Sequence, residues 1–439
     1  MAATQATNGA ARCEGLRSRR WWRYAVLSVD VACFAVLTSG GYILRSLTAP
    51  AVLADFGVSV SELSVVWALA NAIKVVVQCA VSLVMDSVGA ANTLRISFVG
   101  VALTCIATAA SPGIVSYAVV MLLQNAVFIL GKQPTHSALI CSYFDGSELG
   151  FALGLMNIGY SLAGAALPLL CAPLLTCCGW RAAYYVIAAA LLAFLPMVWN
   201  VLVLGPTSVG ASEAAEMPGL TFDEVVRRPS FWLLMLSGVL FKGWEGTVTA
   251  HLPLILELEG GTSVLESATL YSILFACAIV GNLSSSAALL FVPTRVLWLI
   301  SSLGFFSSHL ILVVTDWSGL LRGAGLAGSF QITQSYQRQI LFVVVYGICY
   351  GGMMTSLVYE PVRLYGKKAL PQTLCYLFGA LAIGEIIGPT AVGVIHDVYN
   401  YATSLMLITF TGSGLLFWCA NALAWGPGLK NNQASTTLH

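Results

Sequence analysis

Hydrophobic residues fall in twelve long runs separated by short charged or Pro/Gly-rich breaks, near residues 24–48, 63–85, 93–111, 114–141, 149–175 and 182–204, then 230–255, 266–290, 295–315, 339–363, 372–395 and 400–426. Each approaches the roughly 20 residues that an α-helix needs to cross a bilayer. No stretch sustains the alternation of a half-buried strand, which excludes an outer-membrane barrel and leaves helices to satisfy the backbone within lipid. The pattern predicts an all-α polytopic membrane protein of twelve transmembrane helices. It is organised as a tail (1–23), a six-helix bundle (24–204), a polar linker (205–229), a second six-helix bundle (230–426) and a C-terminal tail (427–439).

Composition agrees: of 439 residues 58% are hydrophobic and 9% charged, against roughly 25% charged in soluble domains. Twenty basic against nineteen acidic residues give a net charge of +1, which provides no electrostatic footprint for nucleic acid. The basic residues are unevenly placed. One set of connections holds Arg12, Arg17, Arg19, Arg20, Arg23, Arg95, Arg227, Arg228, Arg295, Arg363, Lys367, Lys368 and Lys430; the other holds Arg181, Arg322 and Arg338. Because basic loops are retained on the cytoplasmic side, both termini are expected there. The first run is too long for a signal-peptide core and is read as an uncleaved helix, with organelle targeting left open. Most of the twelve cysteines stand singly inside apolar runs (Cys33, Cys79, Cys105, Cys277, Cys349, Cys419) and read as packing residues; Cys177 and Cys178, beside a loop, are the redox candidates.

The fifth and eleventh runs share punctuation: Gly159, Gly164 and Pro168 in one, Gly379, Gly384 and Pro389 in the other, half a chain apart. A duplicated six-helix unit is the economical explanation, although glycines at such spacings also simply permit close helix packing. The stretch Gly150 to Gly154 through Gly179-Trp180-Arg181-Ala-Ala-Tyr184 resembles the fifth helix and following loop of the major facilitator superfamily, in its monocarboxylate and oxalate/formate branch. Arg228-Pro-Ser-Phe-Trp232, His251-Leu-Pro253, and Gly388-Pro389 with Gly393 and Asp397 are similar to that branch's seventh and eleventh helices. The resemblance implies two six-helix bundles in pseudo-symmetry, with the first, fourth, seventh and tenth helices lining a central cavity. Of the family's motif between the second and third helices only Asp86 and Gly89 are retained, and the corresponding connection from Gly281-Asn282 to Arg295 lacks its Asp. The cation that carboxylate-carrying relatives often place on the eighth helix is missing from Tyr271 to Phe291.

Ionisable residues at bilayer depth are costly, about 2.5–3.5 kcal/mol each on insertion scales, and therefore expected to be paired or functional. The runs contain Asp30, Arg45, Lys74, Lys132, Lys242, Glu245 and Glu385. On the seventh, Lys242, Glu245 and Thr249 share one helix face, and Gly243, Trp244 and Gly246 would let that turn bend. On the fourth, Gln124, Phe128, Lys132 and Thr135 form a stripe, with Pro134 freeing a carbonyl; Lys132 either faces a cavity or snorkels. The first run contributes Thr38, Tyr42 and Arg45, the last as an interface or gate residue. Tyr346 and Tyr350 on the tenth are donors to a small ligand or ordinary packing. Glu360, beside Pro361 and Arg363, reads as a solvated local pair.

The candidate substrate-binding set is therefore Lys132, Lys242, Glu245, Gln124, Tyr42 and Tyr350, and the candidate gating or coupling set Lys74, Glu385, Arg45 and Asp86. Lys74 and Glu385 lie midway along the second and eleventh runs, helices that meet across the bundle interface in the family resembled, so an ion pair between them would serve as a gate; the alternative is that each faces its own bundle. No phosphate-cradling loop, metal-ligand spacing or Ser/His/Asp arrangement is legible, so no cofactor, no metal and no enzymatic activity are expected. His136, His251, His309 and His396 lie on separate segments and read as satisfied helix residues, with His251 the best proton-carrying candidate. Asn282-Leu-Ser284 is a sequon at a loop edge, expected to be unused. The function expected is alternating-access secondary transport of a small organic anion, with a proton as candidate co-substrate carried on Glu245 or Glu385, the bilayer as environment and a monomer sufficient. Transport of a neutral or zwitterionic solute, or a transport-inactive sensor or scaffold, are the competing readings.

Overall fold

The computed structural model describes residues 20–141, 143–144, 146–201, 219–289, 291–315, 330–366 and 368–410. Both tails, most of the linker, the twelfth run beyond residue 410, Arg322 and the Asp86 side chain lie outside the described residues. Spans are numbered in chain order. The first is Arg20–Thr38, continued by a π turn, Ser39–Ile43, and by Leu44–Leu47. The second is Val60–Val88, the third Ala90–Ala109, and the fourth Ile114–Leu130 followed by Gln133–Cys141. The fifth and sixth share the segment Gly146–Val201, which breaks at Gly179, where φ is 76°. The seventh is Pro229–Leu254 with a π turn at Ile255–Glu259, the eighth Val264–Ala288, the ninth Thr294–Leu312, the tenth Tyr336–Tyr365, the eleventh Leu370–Val398, and the twelfth is described over Tyr401–Phe410. Among the described residues, eight helices are long and apolar enough to cross a membrane, and one of these, Ala152–Trp199, comprises two spans.

Local sequence sets the span ends. Ser59 and Ser263 each cap a helix with a glutamate three positions into it (Glu62 and Glu266), so the second and eighth spans open with the same reciprocal capping box. In the linker, Thr221 does likewise for Phe222–Val226: its N–H and hydroxyl each donate to Glu224 at 2.8 Å, and these bonds, the backbone one foremost, hold that carboxyl below the usual carboxylate range.

The polarity of the spans is inside out. On the second, Leu69, Val76 and Leu83 are 52–68% exposed at seven-residue spacing, whereas Asn71, Lys74 and Gln78 are at most 2% exposed. Outward leucines and valines suit lipid, and the inward polar stripe must find partners.

Several expectations need correction. The fourth span is not one helix: it breaks at Gly131-Lys132, because the ring of Pro134 and its missing N–H interrupt the ladder one turn upstream. The seventh span runs unbroken through Gly243 and Gly246. Those glycines are contact points instead, since a Cβ at Gly388 would overlap the Gly243 carbonyl oxygen, and one at Gly384 the Val239 carbonyl oxygen. The eighth span extends to Ala288, so Asn282 is a buried helix residue and not a loop-edge sequon. The ninth ends at Leu312, and Val313–Thr315 (β1) pairs antiparallel with Phe330–Ile332 (β2). Glu360 is fully buried and not solvated.

The duplication is also offset from the register read above. Gly159 sits 2.7 Å, by its would-be Cβ, from the Val31 carbonyl of the first span, and Gly164 abuts Phe275 of the eighth. The corresponding contacts in the second half belong to Gly388, against Gly243 of the seventh span, and Gly393, against Ser64 of the second. Among the described residues, Gly379 has nothing within 4 Å of a would-be Cβ. The fifth and eleventh spans are thus equivalent bridges: each packs on a neighbour in its own half and on one in the other.

Candidate functional site

The inward polar stripes of the second, seventh and eleventh spans meet at mid-depth. Lys74 Nζ lies 2.7 Å from Glu385 Oε2, and Lys242 Nζ lies 2.5 Å from Glu245 Oε2 and 3.4 Å from Glu385 Oε1. Glu385 is therefore held by one lysine from each half of the chain. Asn71, one turn before Lys74, adds a bond from its amide to the Glu385 carbonyl at 3.1 Å. Gly246 of the seventh span faces Glu385, a would-be Cβ there lying at an ordinary contact distance of 3.5 Å from Glu385 Cγ.

Tyr42 of the first span lies at the centre of these cations. Its ring centroid is 5.1 Å from the Arg45 guanidinium, 5.2 Å from Lys74 Nζ and 5.8 Å from Lys242 Nζ, within the range of cation–π attraction. Its hydroxyl lies 3.4 Å from the Thr249 hydroxyl. The local irregularity that delivers Tyr42 is the π turn Ser39–Ile43, where Gly41 lets the ring of Phe128 approach the backbone.

A cavity of about 40 Å³ adjoins the cluster, lined among others by Tyr42, Lys132, Lys242, Tyr350 and Glu385. At roughly 10–15 Å³ per water it admits about three waters, so a solute enters only with widening. On the face opposite the N-terminus the halves are joined by Ser61 N–H donating to Asp397 Oδ2 at 3.1 Å and by the Ser64–Gly393 contact. His251 is hydrogen-bonded at both ring nitrogens, to the Tyr401 hydroxyl (3.2 Å) and the Pro389 carbonyl (3.1 Å).

Of the candidate binding residues, the structure thus brings together Lys132, Lys242, Tyr42 and Tyr350 at the cavity, with Glu245 behind Lys242. Gln124 is elsewhere: its amide donates to the Gly40 carbonyl and Cys105 Sγ, both at 3.3 Å, and ties the fourth span to the first and third. Tyr346 donates to the Glu245 carbonyl at 3.2 Å and supports the site from behind. Lys74 and Glu385 form the pair; Arg45 is 3% exposed between the rings of Tyr42 and Trp67, one turn from the cluster. Glu385 is engaged by a lysine at each of its two oxygens, and Glu245 by Lys242 at Oε2.

Sequence reading missed Gln133, Asn157 and Asn282, which line the same cavity. Gln133 donates to Asn157, and Asn282 bonds Ser161 at 3.3 Å and the Thr355 hydroxyl at 2.9 Å. The available signal was an amide side chain inside an otherwise apolar run on each of the fourth, fifth and eighth spans.

An all-helical membrane fold of two equivalent halves, with charged groups converging between them, defines a secondary transporter. The chain belongs to the Major Facilitator Superfamily, whose family model matches residues 31–336. It is similar in structure to a bacterial homolog of the human lysosomal transporter Spinster in an inward-facing, occupied conformation, at TM-score 0.68 and 13% identity over 93% of this chain and 100% of that one. The same homolog in an inward-facing, unoccupied conformation gives TM-score 0.64 and 14% identity over 92% and 93%. These likenesses concern the fold. No curated protein sequence matches the chain. A transporter of this family is not an enzyme; it moves a small molecule across a bilayer.

Proposed function

We propose that the cargo is a small organic anion of the monocarboxylate class, carried by alternating access with a proton as companion and with both termini in the cytoplasm. The observation that carries this reading is Lys132. Its ammonium stands at the cavity 5.9 Å from the rings of Phe128 and Phe378, without a carboxylate within ion-pair distance among the described residues. Lys132 and Lys242 line the cavity and Lys74 adjoins it; with Arg45, these four cations face Glu245, Glu385 and the buried Asp30, an excess of one positive charge. A carboxylate bound between Lys132 and the Asn157 and Asn282 amides would balance that excess and supply Lys132 with the partner its depth requires. Lys242 and Glu245 are engaged with each other, which weakens the reading of that pair as a clamp for both ends of a zwitterion.

The gating role falls to Lys74 and Glu385, which bridge the halves, with Arg45 and Tyr42 closing the path beyond them. Asp86, at the end of the second span, enters by resemblance alone. Uptake of labelled pyruvate or lactate by proteoliposomes, with and without a pH gradient, tests the reading. Flux that is stimulated by an acidic outer compartment supports it; absence of flux of any small acid refutes the cargo.

A further inference from the structure

A second pair of titratable side chains lies apart from the lysine–glutamate cluster. Asp30 of the first span and His136 of the fourth are both fully buried, and His136 Nδ1 lies 2.6 Å from Asp30 Oδ1. Each has a second polar atom, Asp30 Oδ2 and His136 Nε2, with no hydrogen-bond partner among the described residues. An interhelical bond kept only for packing is expected to satisfy its buried atoms; this one leaves a lone pair open on an imidazole, a group able to bind a proton there. We propose that Asp30 and His136 form the proton-binding site of this transporter, separate from the site that holds the anion.

The step balances simply. With the imidazole neutral, Nδ1–H donates to the Asp30 carboxylate and the Nε2 lone pair is free. An incoming proton forms an N–H bond at Nε2, so the pair goes from one negative charge to neutral, and release reverses this. One proton taken up with one monocarboxylate makes the moving complement electroneutral. Glu385 suits this task less, since lysines face both of its oxygens, and Glu245, whose Oε2 holds Lys242, is already the counter-ion of a cavity lysine.

The dyad is mechanically joined to the cavity. Phe34, one turn from Asp30, packs on the His136 ring at 4.6 Å and lines the cavity, and Gln133, one turn from His136, bonds the cavity residue Asn157. The other titratable groups on elements packed against the dyad are accounted for. Cys33 lies close enough to feel Asp30's charge, and Lys132 is one turn from His136. Lys74 and Glu385 hold each other, Tyr160 lines the cavity, Cys105 accepts from Gln124, and Arg23, Arg95 and Glu148 lie toward the span ends.

The proposal rests on the transport reading, and the experiment separates the two. Asp30→Asn and His136→Gln are reconstituted and assayed for labelled pyruvate by counterflow at equal pH and by accumulation under a pH gradient. In parallel, proton uptake by the purified proteins is titrated without substrate. Both variants are expected to retain counterflow and to lose gradient-driven accumulation, and each should take up fewer protons than the wild type as the pH is lowered. Wild-type accumulation in either variant, or unchanged proton uptake in both, overturns the proposal. Absence of counterflow in the wild type would refute the pyruvate-class cargo, and the proton titration would still decide the role of the dyad.

Discussion

Replacing Lys74 with Met, and Glu385 with Gln, should produce unequal damage, because the two partners of the 2.7 Å pair have unequal reserves. Lys74→Met leaves Glu385 with Lys242 at 3.4 Å. The loss is then one charge-assisted hydrogen bond, about 1.5–3 kcal/mol. Glu385→Gln leaves Lys74, which is fully buried, without any carboxylate, and an orphaned buried charge costs about 3–5 kcal/mol. Thermal unfolding in detergent should therefore rank wild type above Lys74→Met above Glu385→Gln. The same bond crosses between the halves, so its removal should favour the state in which they part on the face opposite the N-terminus. A bias of about 1.5–3 kcal/mol is a population change of roughly 10- to 100-fold. Spin labels near Ser61 and Asp397, in a background lacking the exposed Cys177 and Cys178, would read it as a growing long-distance component in Lys74→Met. Equal destabilisation by the two substitutions, or an unchanged distance distribution, would refute the idea that Lys242 acts as a reserve partner and Lys74 as a bridge.

Lys132→Gln should leave thermal stability unchanged or raised, since no ion pair is lost and an uncompensated charge at depth is removed, yet weaken pyruvate uptake roughly 10- to 100-fold through loss of a charge-assisted contact; normal initial uptake rates would remove Lys132 from the binding site. The exchange Lys74→Glu with Glu385→Lys should restore transport only partly relative to Lys74→Glu alone, because a lysine at 385 would face Lys242; full recovery in a flux assay would contradict the 3.4 Å contact. Gly388→Ala should cost about 1–3 kcal/mol by overpacking against the Gly243 carbonyl, whereas Gly379→Ala, with nothing within 4 Å, should be nearly silent. Equal melting temperatures for the two alanine variants would refute that distinction.

The spans could be read from sequence because bilayer thickness imposes a length on every apolar run, and the depth of Lys74 and Glu385 followed from their positions at the middle of two such runs. Lys242 and Glu245 were legible as a pair through helical spacing alone. Helix rotation was not legible: Gln124 falls on the same stripe as Lys132 but turns toward Gly40, because the helix breaks between them and the two pieces need not share a face. Asp30 and His136 are 106 positions apart, and only the packing of the first span on the fourth brings them together. Asn282 was misjudged because the polar run from Asn282 to Ser286 mimics a helix end, whereas in the fold those residues bond across spans and along their own helix. The true register of the duplication was visible only in which glycines touch a neighbouring backbone.

The glycine contacts between the seventh and eleventh spans leave no side-chain cushion on which those two helices could slide. They are effectively riveted, and Glu385 and Lys242 ride on the same plate, while Lys74 belongs to a separate one. The acid at position 385 therefore has a resident counter-ion and a visiting one: were the plates to part, it would stay charged in company, and the helix that leaves would carry away a bare ammonium at the middle of the opened path. A lysine uncovered at that moment is a lure for an arriving anion, so the act of opening would itself prepare the welcome.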